Sequence, residues 1–318
     1  MSFTFKKAFR EGVSLWINLI AGTGGGKTYT GMRLASGMSG GKPFAVIDSE
    51  NRRALHYADQ FTFDHADLRA PFRPEAYADA ICAADAAGYP VIMVDSGSHV
   101  WAGDGGVLDW QEEELDRMAG SDYGKRERVK MAAWIKPKAA HKKMVQKILQ
   151  IKAHLILCLR AEEKIEMVKK DGKLEIQKKQ SLTGKDGWIP VCDKNLPFEA
   201  TSSFLLLASN PGVPYPIKLQ EQHKDFFPTD KPITEESGKR IAEWAKGSAA
   251  PRPLPPSSSV KAAGTAVLTE FATLDESAQA AFLKAAKLNS IDELQPADYQ
   301  RGLDWISKRR AKTAEAPI

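Results

Sequence analysis

Residues 21–28 read Ala-Gly-Thr-Gly-Gly-Gly-Lys-Thr, a glycine-rich run that ends in a lysine and a hydroxyl side chain. The run follows the apolar residues 14–20 and precedes a predicted helix, which is the setting of the Walker A motif, here with Ala rather than Gly first. Backbone amides at such a helix start can converge on phosphate oxygens, while Lys27 neutralises the β- and γ-phosphates and Thr28 ligates Mg²⁺. The sequence therefore predicts a site for ATP and Mg²⁺ formed by Gly22, Thr23, Gly24, Gly25, Gly26, Lys27 and Thr28.

Three carboxylates are candidates for the rest of this site. The apolar residues 91–94 end at Asp95, an arrangement typical of the Walker B strand, so Asp95 is predicted to hold Mg²⁺ together with Thr28. Glu75 follows the third predicted strand, which we expect beside the strand of Asp95, and Glu75 is the predicted base for the attacking water. Glu50, after the second strand, is the competing candidate. The alternative role of Glu75 is that of a favourable charge at a helix start.

Positive charge is concentrated in the middle of the chain. The whole sequence has a net charge of +5, yet residues 125–185 contain 18 Lys and Arg against six Asp and Glu. A basic block of this kind can attract nucleic acid, because each neutralised phosphate releases condensed counterions. A solvated lysine-rich helix and hairpin is the alternative interpretation.

Alternating strands and helices predict an α/β fold with a mainly parallel central sheet. The predicted strands cover residues 14–20, 43–48, 66–72, 90–95, 154–159, 203–208 and 215–219. The predicted helices begin at Lys27 and cover residues 75–86, residues 129–152 apart from Pro137, and residues 234–246, the last capped by Thr234. Residues 164–169 and 173–179 alternate around Asp171-Gly172, which predicts a β-hairpin.

The composition divides the chain into three parts. Residues 1–247 form the predicted α/β domain, residues 248–264 are a Pro- and Ser-rich linker, and residues 265–318 are a small helical module with a frayed tail. A module of this size has marginal stability alone, so it is expected to dock on a protein partner. The apolar runs are too short to cross a bilayer, the N-terminus lacks a signal-peptide pattern, and the three cysteines form no CxxC pair. These features predict a soluble cytoplasmic protein without membrane contact.

Several segments together resemble a known family. They are PFAVIDSEN (43–51), ADLRAPFRPEA (66–76), PVIMVDSGSHVW (90–101) and HLILCLRAEEK (154–164). Their succession resembles the RecA-like branch of P-loop ATPases and, more narrowly, the phage-encoded AAA/RecA-type ATPases of single-strand annealing recombination. The narrower resemblance is carried by residues 95–106, by Arg160 at the end of the fifth strand, and by the ending Lys231-Pro232-Ile233-Thr234. It covers residues 14–247.

The resemblance implies a RecA-like P-loop NTPase core in which Glu75 matches the catalytic glutamate. Arg160 occupies the position of the γ-phosphate sensor, where RecA-like proteins have a polar amide, and an ion pair with Glu162 or Glu163 is its structural alternative. His99 is a candidate polar relay and Trp101 a candidate base-stacking residue, although both are also ordinary packing residues.

The resemblance also implies DNA-facing segments at residues 101–130 and 164–185. The predicted phosphate contacts in the second segment are Lys169, Lys170, Lys173, Lys178, Lys179 and Lys185. Assembly into a homo-oligomer is implied as well, with Lys218 as the candidate residue that completes a neighbour's nucleotide site.

The resulting hypothesis is an ATPase, stimulated by single-stranded DNA, that acts in phage recombination or annealing in the host cytoplasm. An ATP-driven DNA motor of the helicase or packaging type has the same core. A nucleotide or small-molecule kinase shares the loop but requires an arginine-rich lid, and the only lid candidate here is rich in lysine. A non-hydrolysing, ATP-switched adaptor is the remaining alternative.

Overall fold

The structure, a computed structural model, describes residues 8, 10, 12–170, 173–181, 183–247, 258–295 and 298–314. The chain divides into two compact units, residues 1–248 and 249–318. The strands of the first unit are β1 Trp16–Ala21, β2 Phe44–Asp48, β3 Phe63–Asp67, β4 Val91–Asp95, β5 His154–Glu163, β6 Ile165–Lys170, β7 Lys173–Lys178, β8 Trp188–Pro190, β9 Ser202–Leu206 and β10 Pro214–Lys218. Its helices are α1 Lys27–Ser39, α2 Pro74–Ala86, α3 His99–Ala102, α4 Val107–Ala119, α5 Tyr123–Val129, α6 Ile135–Ile148, α7 Leu196–Glu199 and α8 Glu235–Ala245.

The main sheet has the strand order β10-β9-β1-β5-β4-β2-β3, and β8 pairs with the end of β5. Neighbouring strands from β9 to β3 run parallel, whereas β10 is antiparallel to β9 and β8 is antiparallel to β5. The prediction of an α/β fold with a mainly parallel sheet is confirmed. β6 and β7 form a separate antiparallel hairpin directly after β5.

Helices cover both faces of the sheet. Strands β1, β2 and β4 are buried along their whole length, as expected for central parallel strands that carry apolar side chains on both faces. α1 and α8 pack on one face, and α2 and α6 pack on the other. Because α1, α2 and α6 connect parallel strands, the loops after those strands gather at the carboxyl edge of the sheet, where open α/β sheets bind their ligands.

Some predicted boundaries are wrong. The third strand is Phe63–Asp67 rather than 66–72, and residues 71–73 already lead into α2. The predicted helix 129–152 is divided into α5, a 3₁₀ turn at Ala132–Trp134 and α6. Pro137 explains the division, since a proline is tolerated in the first turn of a helix and α6 begins two residues before it. The turn Asp171-Gly172 lies outside the described residues.

The second unit contains α9 Ser258–Ala272, α10 Glu276–Ala286 and α11 Tyr299–Ala314. These helices enclose a small apolar core formed by Val267, Phe271, Phe282, Leu294 and Ile306. The predicted linker 248–264 is too long, because α9 begins at Ser258; residues 248–257 lie outside the description. Within the described part of the chain, no helix combines the length and the apolar character needed to cross a membrane.

Candidate functional site

The glycine-rich loop, residues 22–26, joins β1 to α1 at the carboxyl edge of the sheet. Gly24 and Gly26 both have φ of +80°, a conformation that other residues adopt only under strain. A Cβ on Gly25 would lie 2.6 Å from the carbonyl oxygen of Leu206 on β9. No side chain in the described part of the molecule caps the first amides of α1, so the loop and the helix start leave donors available for an anion.

A cavity of about 510 Å³ opens above this loop. Such a volume falls within the range of small-molecule and cofactor sites. It is lined by Ala21, Gly22, Thr23, Gly24, Gly26, Lys27, Thr28, Tyr29, Glu50, Arg53, Tyr57, Arg160, Ala161 and Glu162. Most of the predicted phosphate-loop residues and Arg160 therefore face one cavity, whereas Gly25 is turned toward β9.

Lys27, Thr28 and Asp95 meet at the floor of the site. The hydroxyl of Thr28 donates to Oδ2 of Asp95 at 2.5 Å, and Nζ of Lys27 lies 3.9 Å from Oδ1. Asp95 is 3% exposed, and among the described residues its Oδ1 has no hydrogen-bond partner. Burial raises the pKa of Asp95, while Lys27 and Thr28 oppose this shift. A buried carboxylate oxygen without a hydrogen-bond partner is compatible with the role of a metal ligand.

The donor set fits Mg²⁺ in chemistry. Thr28 and Asp95 supply hard oxygen ligands, and Mg²⁺ typically binds one or two protein oxygens together with water and substrate phosphates. In the described residues, no group of three or more His, Cys, Asp or Glu side chains forms a metal cluster.

Glu50 and Arg160 form the opposite wall of the cavity. Arg160 donates from Nε and Nη2 to Oε1 of Glu50 at 3.0 and 2.7 Å, and Nη1 of Arg53 contacts Oε2 at 3.0 Å. Burial acts to raise the pKa of Glu50, but the hydrogen bonds and charge of Arg160 outweigh it and lower that pKa. The predicted alternative for Arg160, an ion pair with Glu162 or Glu163, is wrong: those residues pair with Lys164 and Lys178.

Glu75 lies away from this cavity. The expectation that its strand neighbours the strand of Asp95 is wrong, because β2 lies between β3 and β4. Glu75 is exposed in the first turn of α2 and is not among the residues that line the cavity. On that side of β4 the neighbouring strand is β2, and Glu50 follows the end of β2. Of the two candidate bases, Glu50 is therefore the one that lines the cavity.

The turn that carries Glu50 is fixed from beneath by Asp48. Oδ1 of Asp48 accepts the backbone N–H of Glu50 at 2.7 Å, and Oδ2 accepts that of Ala54 at 2.8 Å. Behind this turn, Oγ of Ser49 lies 2.9 Å from Nδ1 of His99. Burial and the charge of Arg160 lower the pKa of His99, which favours the uncharged imidazole. His99 therefore supports the wall of the site through its hydrogen bond to Ser49.

Tyr29, Arg53 and Tyr57 line the cavity and were not predicted from the sequence. Tyr29 is 43% exposed and its ring centroid lies 5.8 Å from that of Tyr57; Arg53 completes this side of the cavity. Tyr29 follows Thr28 directly, and Arg53 and Tyr57 belong to a 3₁₀ helix just after β2. An aromatic residue next to the end of a phosphate-loop pattern is the sequence signal that identifies Tyr29.

The predicted DNA-contacting lysines lie in and after the β6–β7 hairpin. Lys169 and Lys178 share one hairpin face with four exposed apolar side chains, which are Ile165, Met167, Leu174 and Ile176. Lys179 and Lys185 are exposed after the hairpin, whereas the side chains of Lys170 and Lys173 lie outside the description. Lys178 also pairs with Glu163 at 2.9 Å.

The densest positive charge lies on α5 and α6 rather than on the hairpin. Residues 123–143 contain eight Lys and Arg against one acidic residue. Ile135, Lys138 and Lys142 are exposed and follow one stripe of α6. Nζ of Lys138 lies 5.2 Å from the ring centroid of Trp134, which in turn stacks on Trp101 at 6.2 Å. Because Trp101 follows β4 closely, this basic surface begins at the carboxyl edge of the sheet.

Two predicted residues have structural partners. Trp101 packs between Trp134 and His141, so its half-buried ring serves as an anchor for α6. Lys218 lies on β10 at one edge of the sheet and donates from Nζ to the carbonyl oxygen of Phe198 at 2.6 Å.

A scan against protein-family models and a search of curated proteins both return no match to this chain. The assignment of a function therefore depends on the loop, on Lys27, Thr28 and Asp95, and on the pair formed by Glu50 and Arg160.

Proposed function

We propose that this protein is a RecA-like P-loop ATPase that binds Mg·ATP at the glycine-rich loop and acts on single-stranded DNA in phage recombination or annealing. The observation that carries the proposal is the convergence of Lys27, Thr28 and Asp95 beneath the loop. A lysine, a hydroxyl and a buried unsatisfied carboxylate at a helix start are the groups that hold the phosphates and metal of a nucleoside triphosphate.

Each part of the nucleotide has a candidate partner. The amides of the loop and the start of α1 would hold the α- and β-phosphates, and Lys27 would neutralise the β- and γ-phosphates. Thr28 and Asp95 would hold Mg²⁺, which supplies charge neutralisation on the phosphate oxygens when bound. Tyr29 and Tyr57 offer aromatic faces for the base at the side of the cavity.

Hydrolysis requires a carboxylate that orients the attacking water. Glu50 is better placed for this role than Glu75, because Glu50 lines the cavity and Asp48 holds its backbone N–H. Arg160 would stabilise the negative charge that develops on the transferred phosphoryl group. The cavity thus contains both a base and a cation besides Lys27.

Two surfaces support single-stranded DNA as the partner. The basic stripe of α6 and the hairpin both lie after strands that end at the carboxyl edge, and both combine lysines with exposed apolar or aromatic side chains. Lysines contact the backbone of single-stranded nucleic acid, and flat or apolar side chains contact its bases, without sequence preference. The nucleotide and the DNA would then bind at the same edge of the sheet.

We also propose a homo-oligomer, in which a basic residue such as Lys218 reaches a neighbouring subunit, and a protein partner for the second unit. The small apolar core of that unit supports the second proposal, because so few buried residues give limited stability alone. The host cytoplasm is the proposed location.

The test of the nucleotide site is calorimetric titration of the full chain with ATP in the presence of Mg²⁺. Wild-type protein is expected to bind ATP, and Lys27→Ala is expected to bind at least about tenfold more weakly because the phosphates lose a half-buried cation. Equal affinity of Lys27→Ala and wild type would exclude the loop as the triphosphate site.

A further inference from the structure

The ion pair between Arg160 and Glu50 occupies the groups that hydrolysis would need. Oε1 of Glu50 accepts two hydrogen bonds from Arg160, and Oε2 accepts one from Arg53. The side chain of Glu50 is only 8% exposed, whereas that of Arg160 is 49% exposed. Both oxygens of the candidate base are thus engaged by cations before any ligand arrives.

This pairing is unfavourable for a general base. A carboxylate that must take a proton from water needs a free oxygen, and it works best when its pKa lies near the working pH. Arg160 instead lowers the pKa of Glu50. A terminal phosphate would be a stronger partner for the guanidinium than a carboxylate, since it carries more negative charge and offers three oxygens for a bidentate contact.

We propose that the Arg160–Glu50 ion pair is a latch that the γ-phosphate opens. Arg160 leaves Glu50 for the terminal phosphate, and the released Oε1 of Glu50 accepts the proton of the attacking water. The water oxygen forms the new bond to the γ-phosphorus, the bond from that phosphorus to the β,γ-bridging oxygen breaks, and ADP departs with its electron pair. This inference rests on the proposed function and makes Arg160 the residue that distinguishes a triphosphate from a diphosphate.

The backbone on both sides of the latch is fixed, so the exchange needs only side-chain rotation. The N–H of Arg160 donates to Oγ of Ser98 at 2.8 Å, and Arg160 lies opposite Ala21 in the pairing of β5 with β1. Ala21 immediately precedes the glycine-rich loop. Glu50 is held in place by the hydrogen bond between its N–H and Asp48. The half-exposed guanidinium is consequently the mobile part, and it already lies on the wall of the cavity.

A diphosphate would leave the latch closed. ADP has no γ-phosphate to compete for the guanidinium, so its affinity would not include the cost of breaking the ion pair. The binding of a triphosphate would include that cost. The Arg160–Glu50 ion pair therefore lowers the affinity for a triphosphate but not for a diphosphate. A double-mutant cycle of the two residues measures this coupling for each nucleotide.

The experiment is a cycle of Arg160→Gln, Glu50→Gln and the double variant, titrated in Mg²⁺ with β,γ-imido-ATP and with ADP. With β,γ-imido-ATP, Glu50→Gln is expected to raise affinity several-fold more in the wild-type background than in the Arg160→Gln background. If Glu50→Gln acted only by removing the repulsion between Glu50 and the γ-phosphate, it would raise the affinity equally in both backgrounds. With ADP, the effect of Glu50→Gln is expected to be the same in both backgrounds.

A matched control is available elsewhere in the fold. Arg33 and Glu235 form a similar bidentate pair, with contacts of 2.7–2.9 Å, outside the cavity. The cycle of Arg33→Gln and Glu235→Gln is expected to show no coupling with either nucleotide. Zero coupling at Arg160–Glu50 with β,γ-imido-ATP, or equal coupling with ADP, would overturn the latch. If wild type binds neither nucleotide, or Lys27→Ala binds both as well as wild type, the proposed function fails instead. Arg160→Lys provides a second variant if Arg160→Gln does not fold.

Discussion

The hydroxyl of Thr28 lies 2.5 Å from Oδ2 of Asp95, although the two residues are separated by 67 positions in the chain. The contact joins the first turn of α1 to the end of β4, and it forms because β5 alone separates β1 from β4 in the sheet. Both side chains offer oxygen ligands at one point beneath the glycine-rich loop. This relationship supports the proposal that Mg²⁺ binds at the site.

Removal of the Thr28 hydroxyl should weaken the response to Mg²⁺. Thr28→Val keeps the shape of the side chain but loses one oxygen ligand, whereas Thr28→Ser keeps the hydroxyl. We expect Thr28→Val to need at least about tenfold more Mg²⁺ for half-maximal ATP hydrolysis, a change that corresponds to one lost charge-assisted contact. A magnesium titration of the initial rate checks this, and similar curves for the two variants would contradict the metal assignment.

The same Glu→Gln substitution at each candidate base shows which of them activates the attacking water. Glu50→Gln should lower the rate of ATP hydrolysis by at least about 100-fold, because the amide cannot accept the proton of the attacking water. Glu75→Gln should leave the rate within about twofold, since Glu75 is exposed on α2 away from the cavity. Phosphate release at saturating ATP is the measurement. The reverse ranking would restore Glu75 as the base.

This comparison also shows where reasoning from the sequence fails. The glycine-rich run, the strand that ends at Asp95 and the parallel character of the sheet depend on local patterns, and the structure has each of them. The choice between Glu50 and Glu75 depends on which strand neighbours β4, and that order is set by the packing of helices between distant segments. The Glu50–Arg160 pair, 110 residues apart in the chain, has no local signal either.

The aromatic side of the cavity was missed for a related reason. Tyr29 and Tyr57 meet only because the 3₁₀ helix after β2 folds back over the start of α1. The sequence locates the basic residues in one block, with a lysine-rich helix and hairpin as one interpretation, and the structure places them on α5, α6 and the β6–β7 hairpin. Charge counts along the chain locate such residues but do not assign them to a surface.

The crossing of α1 and α8 depends on the small size of Gly37. A Cβ at this position would lie 1.9 Å from the carbonyl oxygen of Glu235, so the two helices would have to separate. We expect Gly37→Ala to lower the free energy of unfolding by about 3 kcal/mol, at the upper end for an overpacked site. Gly12→Ala is the control, because a Cβ there meets none of the described residues within 4 Å. Urea unfolding checks both, and an equal effect of the two substitutions would contradict this account of the crossing.

Acid should destabilise the fold through His154. Burial, followed by the charge of Lys246, lowers the pKa of His154 to about 4. Between the ordinary pKa of about 6.5 and this value, His154 binds a proton only in the unfolded chain. Its contribution to the free energy of unfolding is therefore fully present above pH 6.5 and is lost as the pH falls toward 4. The expected loss from this residue between pH 7.5 and pH 5 is about 2 kcal/mol.

Unfolding free energies at the two pH values test this assignment. His154→Gln keeps an acceptor for the N–H of Leu15, which donates to Nδ1 of His154 at 3.1 Å, but the amide does not titrate. The free energy of unfolding lost between pH 7.5 and pH 5 should therefore be smaller in His154→Gln than in wild type. It should be unchanged in the control His56→Gln, because His56 is exposed. An unchanged acid loss in His154→Gln would rule out His154 as its source.

The basic stripe of α6 should contribute to DNA affinity through phosphate contacts. Replacement of Lys138, Lys142 and Lys143 by Ala should weaken the binding of an oligo-dT strand. The slope of log K against log salt concentration should become shallower by about 2, since each phosphate contact contributes about 0.7. Fluorescence anisotropy at several salt concentrations measures both quantities. Lys42, Lys239 and Lys246 are also exposed, and their triple replacement is the control. Equal slopes for the two triple variants would remove α6 from the DNA surface.

The most direct test of the proposed function is the rate of ATP hydrolysis by the full chain with and without single-stranded DNA, with Lys27→Ala as the blank. We expect hydrolysis that single-stranded DNA stimulates at least about tenfold, that weakens as salt is raised, and that Lys27→Ala abolishes. Hydrolysis that depends on Lys27 but is the same with and without DNA would contradict the DNA-dependent ATPase and leave a nucleotide site that serves another substrate.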